Sequence, residues 1–512
     1  MSPRSAPTDG CSQYLPKNKF MEAFLLVASL LMFFSIAVGK ASSRFGVPVL
    51  LFFLLVGFVA GADGLGIANI TNPLTAQYIG VLALVIILFS GGMDTRFADI
   101  KPVLGPGLVM ATLGVLVTAL LTGAFIYLIT NNWFTAVKFG AVESLLLAAV
   151  MASTDSASVF AILRSKGLSL KENLRPLLEL ESGSNDPMAY LLTIVLIQLL
   201  QGDVSGGFIV WTFIKQLLLG LLGGIFLGKL SLYVINRINL DNDAIYSVLL
   251  LVVAFFIYSM TAVVGGNGYL AVYVGGLLLG NRRFVHKRSS VRFFEGLTWL
   301  AQIVMFLTLG LLASPKQMLP VAVVGCVIGA FMMVIARPLA TWLCLTPFRK
   351  FSEKGKTFVS FVGLRGAVPI VFATYPWIAQ VEHSQHIFNI VFFITLLSML
   401  FQGTLVPTVA HWLKLDIPVK PKEKLKEFDV DFSDDISSAM AEIKVEPRML
   451  SGGNRLIDLN LPEHTLVAMV KRKRNYFIPR GNTTLEPGDT LLVMSETEAG
   501  MSEARKLLDI GD

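Results

Sequence analysis

The sequence predicts an all-α polytopic membrane protein of about thirteen transmembrane helices, with inverted repeats and two broken helices, followed by a small C-terminal α+β soluble domain. Three observations carry this. Of the 512 residues, 54% are hydrophobic and only 15% charged, against about 25% charged in soluble domains. Apolar runs of roughly 20 residues, the length that crosses a bilayer, recur from residue 21 to residue 413. After residue 414 the chain becomes charged, and then alternates apolar and polar residues.

Residues 1–20 read as an N-terminal tail. Arg4, Lys17 and Lys19 precede the first apolar run as in a signal peptide. That run leads into Lys40 and a second span with no clear small-x-small cleavage site, which argues for a retained helix. Met21 can itself start a chain, so residues 1–20 are expected to be an extension. Runs begin near residues 22, 45, 76, 104, 137, 174, 208, 244, 268, 293, 318, 356 and 387, the shortest near 45 and 268. With the N-terminus outside, the internal loops hold Lys40 and Arg44, Arg96 and Lys101, Arg164 to Arg175, Arg237, the Arg282 to Arg292 cluster, and Arg349 to Lys356. The external loops keep little beyond Lys138, Lys215 and Lys316. This positive-inside asymmetry puts the C-terminus in the cytoplasm. It also accounts for the net charge of +7 without a nucleic-acid partner. Cys11, Cys326 and Cys344 have no spacing for a disulfide framework or zinc site and read as packing residues.

The sixth run opens with "LESGSNDPMAYLLTIVL". A helix from about Glu172 to Leu200 would be roughly 43 Å long and would hold Asp186 near the bilayer midplane. An acid there costs about 2.5–3.5 kcal/mol on insertion scales, which marks a functional residue. The competing reading is a cytoplasmic turn, because Gly183, Asn185 and Pro187 are turn-formers. A helix starting only at Met188 would be too short to cross, which disfavours the turn. One run earlier, "ESLLLAAVMASTDSASVFAIL" is interrupted by Ser153, Thr154, Asp155 and Ser156, side chains able to satisfy unwound backbone. Taken alone this stretch could equally be a helix N-cap; its apolar flanks make Asp155 the expected partner of Asp186. The twelfth run, "FVSFVGLRGAVPIVFATYP", is broken by Gly363, Arg365, Gly366 and Pro369. Interrupted fifth and twelfth spans, at matching places in two halves, point to an inverted-repeat transporter. The buried cations Arg365 and Arg337 are available to Glu179, Glu181 and Asp155, with Glu181–Arg365 the first expected pair. Such pairs fix helix geometry and carry no ion.

Thr154-Asp155 in a broken span, Glu179-x-Glu181-Ser182 followed by Asn185-Asp186, Arg337-Pro338 and "GLRGAVP" at 363–369 together resemble the NhaP-type monovalent cation/proton antiporter family, over about residues 22–414. The tail "NRLIDLNLP … GDTL" resembles the TrkA-C (RCK C-terminal) regulatory domain, as in the potassium/proton antiporter branch. The resemblance implies about thirteen spans in a homodimer whose core part moves as a unit. It implies that Asp186 is the essential carboxylate and that Thr154, Asp155 and Ser182 help hold a monovalent cation. Asn185 stands where electrogenic relatives carry a second Asp. Some relatives place a Glu in the third span; this chain reads "LFSGGMDTR" there, so no ligand is carried over.

The domain expectation is therefore a tail (1–20), an antiporter domain (21–413), a linker (414–430) and a regulatory domain (431–512). The expected activity is exchange of cytoplasmic K⁺ for external H⁺ at one carboxylate in the cell inner membrane, serving K⁺, pH and volume homeostasis, with Na⁺ as the alternative cation and no enzymatic cofactor. Asp186 is locally neutral when it holds a proton or a cation. Bare, it is costly to move past an apolar barrier, so only loaded forms switch sides. With Asn185 neutral, the exchange is expected to be electroneutral. A cation channel would need a continuous polar path, whereas these groups cluster at one depth. A membrane enzyme fits less well: Ser182 and Ser184 have no plausible base, and His383 and His386 fall in an external loop. The linker lysines can lie on anionic lipid. The run Lys471 to Arg474 is either a phosphate patch or a solvated hairpin face. A cytoplasmic ligand, such as a nucleotide, is expected to bind a dimer of the tail domains and bias the core.

Overall fold

The computed structural model describes residues 15–45, 47–67, 72–134, 137–202, 206–418, 440–450, 452–459, 461–473, 475–496, 500–501 and 503–504. The chain divides into two compact units, Met1–Val419 and Lys420–Asp512. The first contains α1 (Leu15–Phe45), α2 (Val49–Ala60), α3 (Pro73–Asp94), α4 (Phe97–Ile100), α5 (Leu104–Val109), α6 (Val115–Asn132), α7 (Ala141–Val150), α8 (Ser156–Ser165), β1 (Leu168–Leu170) and α9 (Leu174–Leu200). It continues with α10 (Gly206–Arg237), α11 (Asp243–Val263), α12 (Gly268–Gly280), α13 (Lys287–Leu312), α14 (Pro315–Met318), α15 (Ala322–Phe331) and α16 (Arg337–Leu345). Last come α17 (Glu353–Phe361), α18 (Ala367–Ile378), α19 (Ser384–Leu397), α20 (Gly403–Trp412) and β2 (Asp416–Pro418).

Helix occupies each predicted run. Among the described residues, seven helical stretches are long and apolar enough to cross a membrane: Pro73–Asp94, Phe97–Asn132, Val210–Arg237, Asp243–Val263, Lys287–Leu312, Pro315–Leu345 and Ser384–Trp412. Helix starts follow local chemistry. The side chains of Asn72, Asn242, Asn267 and Ser352 each accept a hydrogen bond from a backbone N–H of the first turn they precede. Glu172 and Asn173 both adopt left-handed backbone, with φ of 60° and 54°, and turn the chain into α9.

Two sets of neighbouring helices build the unit. In one, α12 packs on α3 and α10, and α13 packs on α2 and α3. A Cβ on Gly276 of α12 would lie 2.5 Å from the Phe89 carbonyl oxygen of α3, so only glycine permits this approach. In the other set, α7 packs on α6 and α9, α18 on α19, α15 on α19 and α16 on α17. The sets meet where α9 and α18 face α12 and α3. Cys344 is buried and packs as expected, whereas Cys326 is exposed, a correction to its reading as a packing residue; Cys11 lies outside the described residues.

The linker expected from residue 414 is also corrected at its start. Asp416–Pro418 pairs antiparallel with Leu168–Leu170, and the Lys171 N–H donates to the Leu415 carbonyl at 3.0 Å. Residues 419–430 lie outside the described residues.

The second unit holds β3 (Met440–Lys444), β4 (Thr465–Arg472), β5 (Asn475–Phe477) and β6 (Thr490–Ser495) in one antiparallel sheet of order β3-β6-β4-β5. Ala441, Ile443, Val467, Val470, Leu491 and Val493 form its core; they are alternate positions in β3 and β6, while in β4 a register shift between Val467 and Met469 brings both Val467 and Val470 inward. The Lys471 to Arg474 run resolves toward the hairpin reading. Arg472 closes β4 and donates to Asp489 at 2.7 Å, to Glu486 at 2.7 Å and to the Thr484 carbonyl at 2.7 Å. Lys471 lies over the Tyr476 ring, and Arg474 is outside the described residues.

Candidate ion site

Both predicted interruptions are real breaks, and they meet. Helix is lost between Val150 and Ser156, and again between Phe361 and Ala367. Unwound backbone inside an apolar body needs partners, and here each break supplies the other's. The Asp155 N–H donates to the Leu364 carbonyl at 2.8 Å. Arg365 Nη1 donates to the Ser153 carbonyl at 3.2 Å, and the Arg365 N–H donates to Ser398 Oγ at 2.9 Å. Ser398 in turn donates to Gln402 Oε1 at 2.6 Å, and Gln402 Nε2 donates to the Phe361 carbonyl at 2.9 Å. Ser398 and Gln402 share a π turn, Ser398–Gln402; such turns recur at functional sites. At the crossing a Cβ on Gly366 would lie 2.5 Å from Asp155 Oδ2, so the motif glycine makes room for the acid.

The helix α9 runs unbroken from Leu174 to Leu200 through Pro187, which rules out the turn reading of "SGSNDP". Its polar face is laid along the first break. Asp186 accepts a hydrogen bond from Ser153 Oγ. Asn185 Nδ2 donates to Thr154 Oγ1 at 2.6 Å. Ser182 Oγ donates to the Thr154 carbonyl at 2.8 Å and accepts from the Ser156 N–H at 3.2 Å. The Asp155 carboxylate caps α8, accepting from Ser158 N at 3.1 Å and Ser158 Oγ at 2.5 Å. Its charge is favoured by the helix N-terminus it caps. Asp186 is 6% exposed and Asn185 fully buried.

All five predicted ion-site residues are thus brought together, with one correction. The described hydrogen-bond partner of Asp186 is Ser153, and Asp155 is turned to its own helix. Ser153 was in the quoted stretch but not singled out; its place in the S-T-D-S run was the available signal.

The expected ion pairs are redistributed. Glu181 binds Arg337, with Oε1 to Nη2 at 2.5 Å and both side chains buried. Arg365 donates instead to the Ser153 carbonyl. Glu179 pairs with Arg175 one turn away at 2.9 Å, with Arg175 half exposed. Arg337 follows directly on the π turn Met332–Ala336, which no sequence pattern announced.

A cavity of about 960 Å³ reaches Asp186. Thr154, Asp155, Ser182 and Asp186 line its inner part, and Asp94, Arg164, Arg175, Glu179, Arg292 and Glu295 also line it. It therefore extends toward the helix ends that carry the basic loops. In the other direction along α9, Tyr190 meets Tyr269, Phe372 and Tyr375 at ring separations of 4.9, 5.8 and 5.5 Å. The site is a hydroxyl-lined acid at a cavity, with an aromatic cluster one helical turn further along α9.

Residues 29–412 match the family described as sodium/hydrogen exchanger, transmembrane, and residues 440–509 match the TrkA-C domain. The chain belongs to the sodium/hydrogen exchanger family. It is 38% identical over 483 residues to the K(+)/H(+) antiporter NhaP2 of Shewanella sp. (strain MR-4), covering 94% of this chain and 82% of that protein. It is 37% identical over 474 residues to the K(+)/H(+) antiporter NhaP of Alkalimonas amylolytica, covering 92% and 80%. The fold is similar to that of the sodium proton antiporter MjNhaP1 from Methanocaldococcus jannaschii at pH 8, with TM-score 0.65 at 23% identity over 77% of this chain and 99% of that one. This exchanger-family chain therefore joins an antiporter-type membrane unit to a TrkA-C domain, as its motifs implied.

Proposed function

We propose that this exchanger swaps K⁺ for H⁺ by alternating access at Asp186, with one cation replacing one proton. The carrying observation is the company Asp186 keeps: it is buried at a cavity and hydrogen-bonded to a hydroxyl, while Glu181 on the same helix is paired with Arg337 and Asp155 caps α8. A carboxylate held this way has valence to share with an incoming cation. Thr154, Asp155 and Ser182 supply the neighbouring oxygens of a monovalent cation site. Both loaded forms of Asp186 carry the same local charge. The bare anion is disfavoured in an apolar passage, which couples the two fluxes.

Asn185 adds no titrating charge and is tied to Thr154, so exchange is electroneutral; a steady current on transport would overturn this point. K⁺ as the main substrate rests on the K⁺/H⁺ antiporters this chain resembles, and Na⁺ is the alternative. Glu181–Arg337, Glu179–Arg175 and Arg365 hold the geometry and carry no ion.

The fold reading is about thirteen crossings in two inverted repeats. It is supported by matching irregularities. The fourth and eleventh predicted spans each pass through a short helix, a 3₁₀ turn (Lys101–Val103 and Leu319–Val321), a second helix and a π turn (Met110–Gly114 and Met332–Ala336). The fifth and twelfth are the broken pair. The protein sits in the inner membrane as a homodimer in contact with lipid, N-terminus outside and C-terminus inside, so that the cavity faces the cytoplasm. Residues 431–512 form the regulatory domain, joined by the linker to 21–413, and respond to a cytoplasmic ligand such as a nucleotide. The physiological setting is K⁺, pH and volume homeostasis.

The test is proton movement in vesicles holding a pH gradient, on adding K⁺ or Na⁺, with the intact chain and with Asp186→Asn. K⁺ collapses the gradient with the intact chain only. Equal activity of the Asn form, or no exchange with either cation, overturns the reading.

A further inference from the structure

The first turn of α12 makes two polar ties across the boundary between the helix sets, both beside Asp186. Asn267 caps α12 through Oδ1, which accepts from the Leu270 N–H at 3.1 Å. Its Nδ2 donates to the carbonyl of Pro187, the residue after Asp186, at 2.8 Å. Tyr269, fully buried, places its hydroxyl 3.2 Å from that of Tyr375 on α18. Around this bond Tyr190 meets Tyr269 edge-on and Tyr258 and Phe372 meet it at a tilt, at ring separations of 4.9, 5.1 and 6.1 Å. Phenylalanine would fill the same space, and a buried hydroxyl is costly without a partner. Packing alone therefore does not account for a facing pair of hydroxyls here.

Their position decides what the pair does. Tyr190 lies one helical turn beyond Asp186 on the same face of α9, on the side away from the cavity. Tyr375 and Phe372 ride on α18, which begins at the helix crossing. Tyr258 and Tyr269 belong to α11 and α12 of the other helix set. A bond from Tyr269 to Tyr375 thus joins the element that carries the site to the one it packs against.

We infer that the Tyr269–Tyr375 hydroxyl pair, with Asn267 on the Pro187 carbonyl, is a latch that holds the ion site closed on the side opposite the cavity. This rests on the alternating-access reading above. Opening the far side requires both ties to break, so they set the ratio of the two sided states. These are positioning residues: none touches the ion. Because each tie is a neutral hydrogen bond, its loss shifts that ratio modestly, by about 2- to 10-fold.

The test uses the full chain in oriented vesicles with Tyr269→Phe, Tyr375→Phe and both together, which delete hydroxyls and keep rings. The half-saturating K⁺ concentration is measured on each face. In parallel, a cysteine placed by Thr193→Cys, one turn beyond Tyr190 on α9, with the three native cysteines changed to serine, is labelled by a membrane-impermeant maleimide. The latch predicts that each single change raises labelling from the far face and lowers the half-saturating K⁺ there relative to the cavity face, so that the ratio of the two half-saturating concentrations shifts by about 2- to 10-fold. The double change should do no more than either alone, because both remove one bond. A purely structural role would alter protein yield or total rate and leave the ratio between faces unmoved. Unchanged labelling and unchanged ratios overturn the latch even where exchange is normal. If the intact chain exchanges no cation for protons, the antiport reading fails, and labelling alone then judges the latch.

Discussion

Glu181 and Asp186 are two buried acids on one helix with opposite company. Glu181 is locked to the Arg337 guanidinium at 2.5 Å, and both partners are almost wholly out of water. Asp186 has a serine hydroxyl and an open cavity. A buried pair is neutral as it stands, and breaking it strands a charge. An acid held by a hydroxyl is neutral only when it carries something else. The proposed exchange therefore falls to the second acid, and rigidity to the first. Sequence spacing alone does not separate the two.

The largest effect expected from this contrast is at Asp186. Asp186→Asn should abolish cation-driven proton movement while leaving the protein folded, checked by transport and by unchanged elution in detergent. Removing one partner of the buried pair should act on folding instead. Arg337→Ala leaves Glu181 without its counter-charge and should cost about 3–5 kcal/mol, seen as a large fall in thermal stability. If Arg337→Ala folds normally but loses only transport, the assignment of this pair to structure is wrong.

A smaller change sharpens the other side. Ser153→Ala removes the hydrogen bond to Asp186 and one oxygen beside the proposed cation site, and should weaken apparent K⁺ affinity by about 10- to 150-fold, since bonds to charged groups are worth about 1.5–3 kcal/mol. Stability in detergent should hardly change.

The smallest effect lies in the TrkA-C unit. Burial pushes the Asp489 carboxyl up, but the Arg472 hydrogen bonds, the Glu486 N–H and the Arg472 charge outweigh it and bring it below its ordinary value. Its contribution is therefore present above the unfolded carboxylate range, near pH 4, and is lost as pH falls through the lower folded value. In the full chain, hydrogen exchange of β6 amides should lose protection at acid pH. Asp489→Asn should show weaker protection at pH 7 and a flatter acid response.

Much of the site was legible because polar residues in apolar runs are conspicuous. "STDS", "SGSND" and "GLRGAVP" stood out against their flanks, and the structure gathers all three at one crossing. The partners of the charges were not legible. Glu181 had two buried arginines to choose from. The partner it takes, Arg337, follows directly on a π turn, of which the sequence "MMVIARP" carries no sign. Nothing in the sequence singles out Asn267 or Tyr269; only the approach of α12 to α9 and α18 gives them polar partners there.

The sequence by itself determined that the chain is a membrane protein with two interrupted apolar runs, an acid within another apolar run and a strand-rich tail. These follow from hydropathy, which acts residue by residue along the chain. Only the tertiary structure decided which arginine pairs with Glu181, which residues line the cavity, and that Asp416–Pro418 pairs with another strand. Those outcomes depend on distances between segments far apart in sequence. Coulombic and hydrogen-bond energies change over a few ångströms, a scale that composition and spacing do not reach.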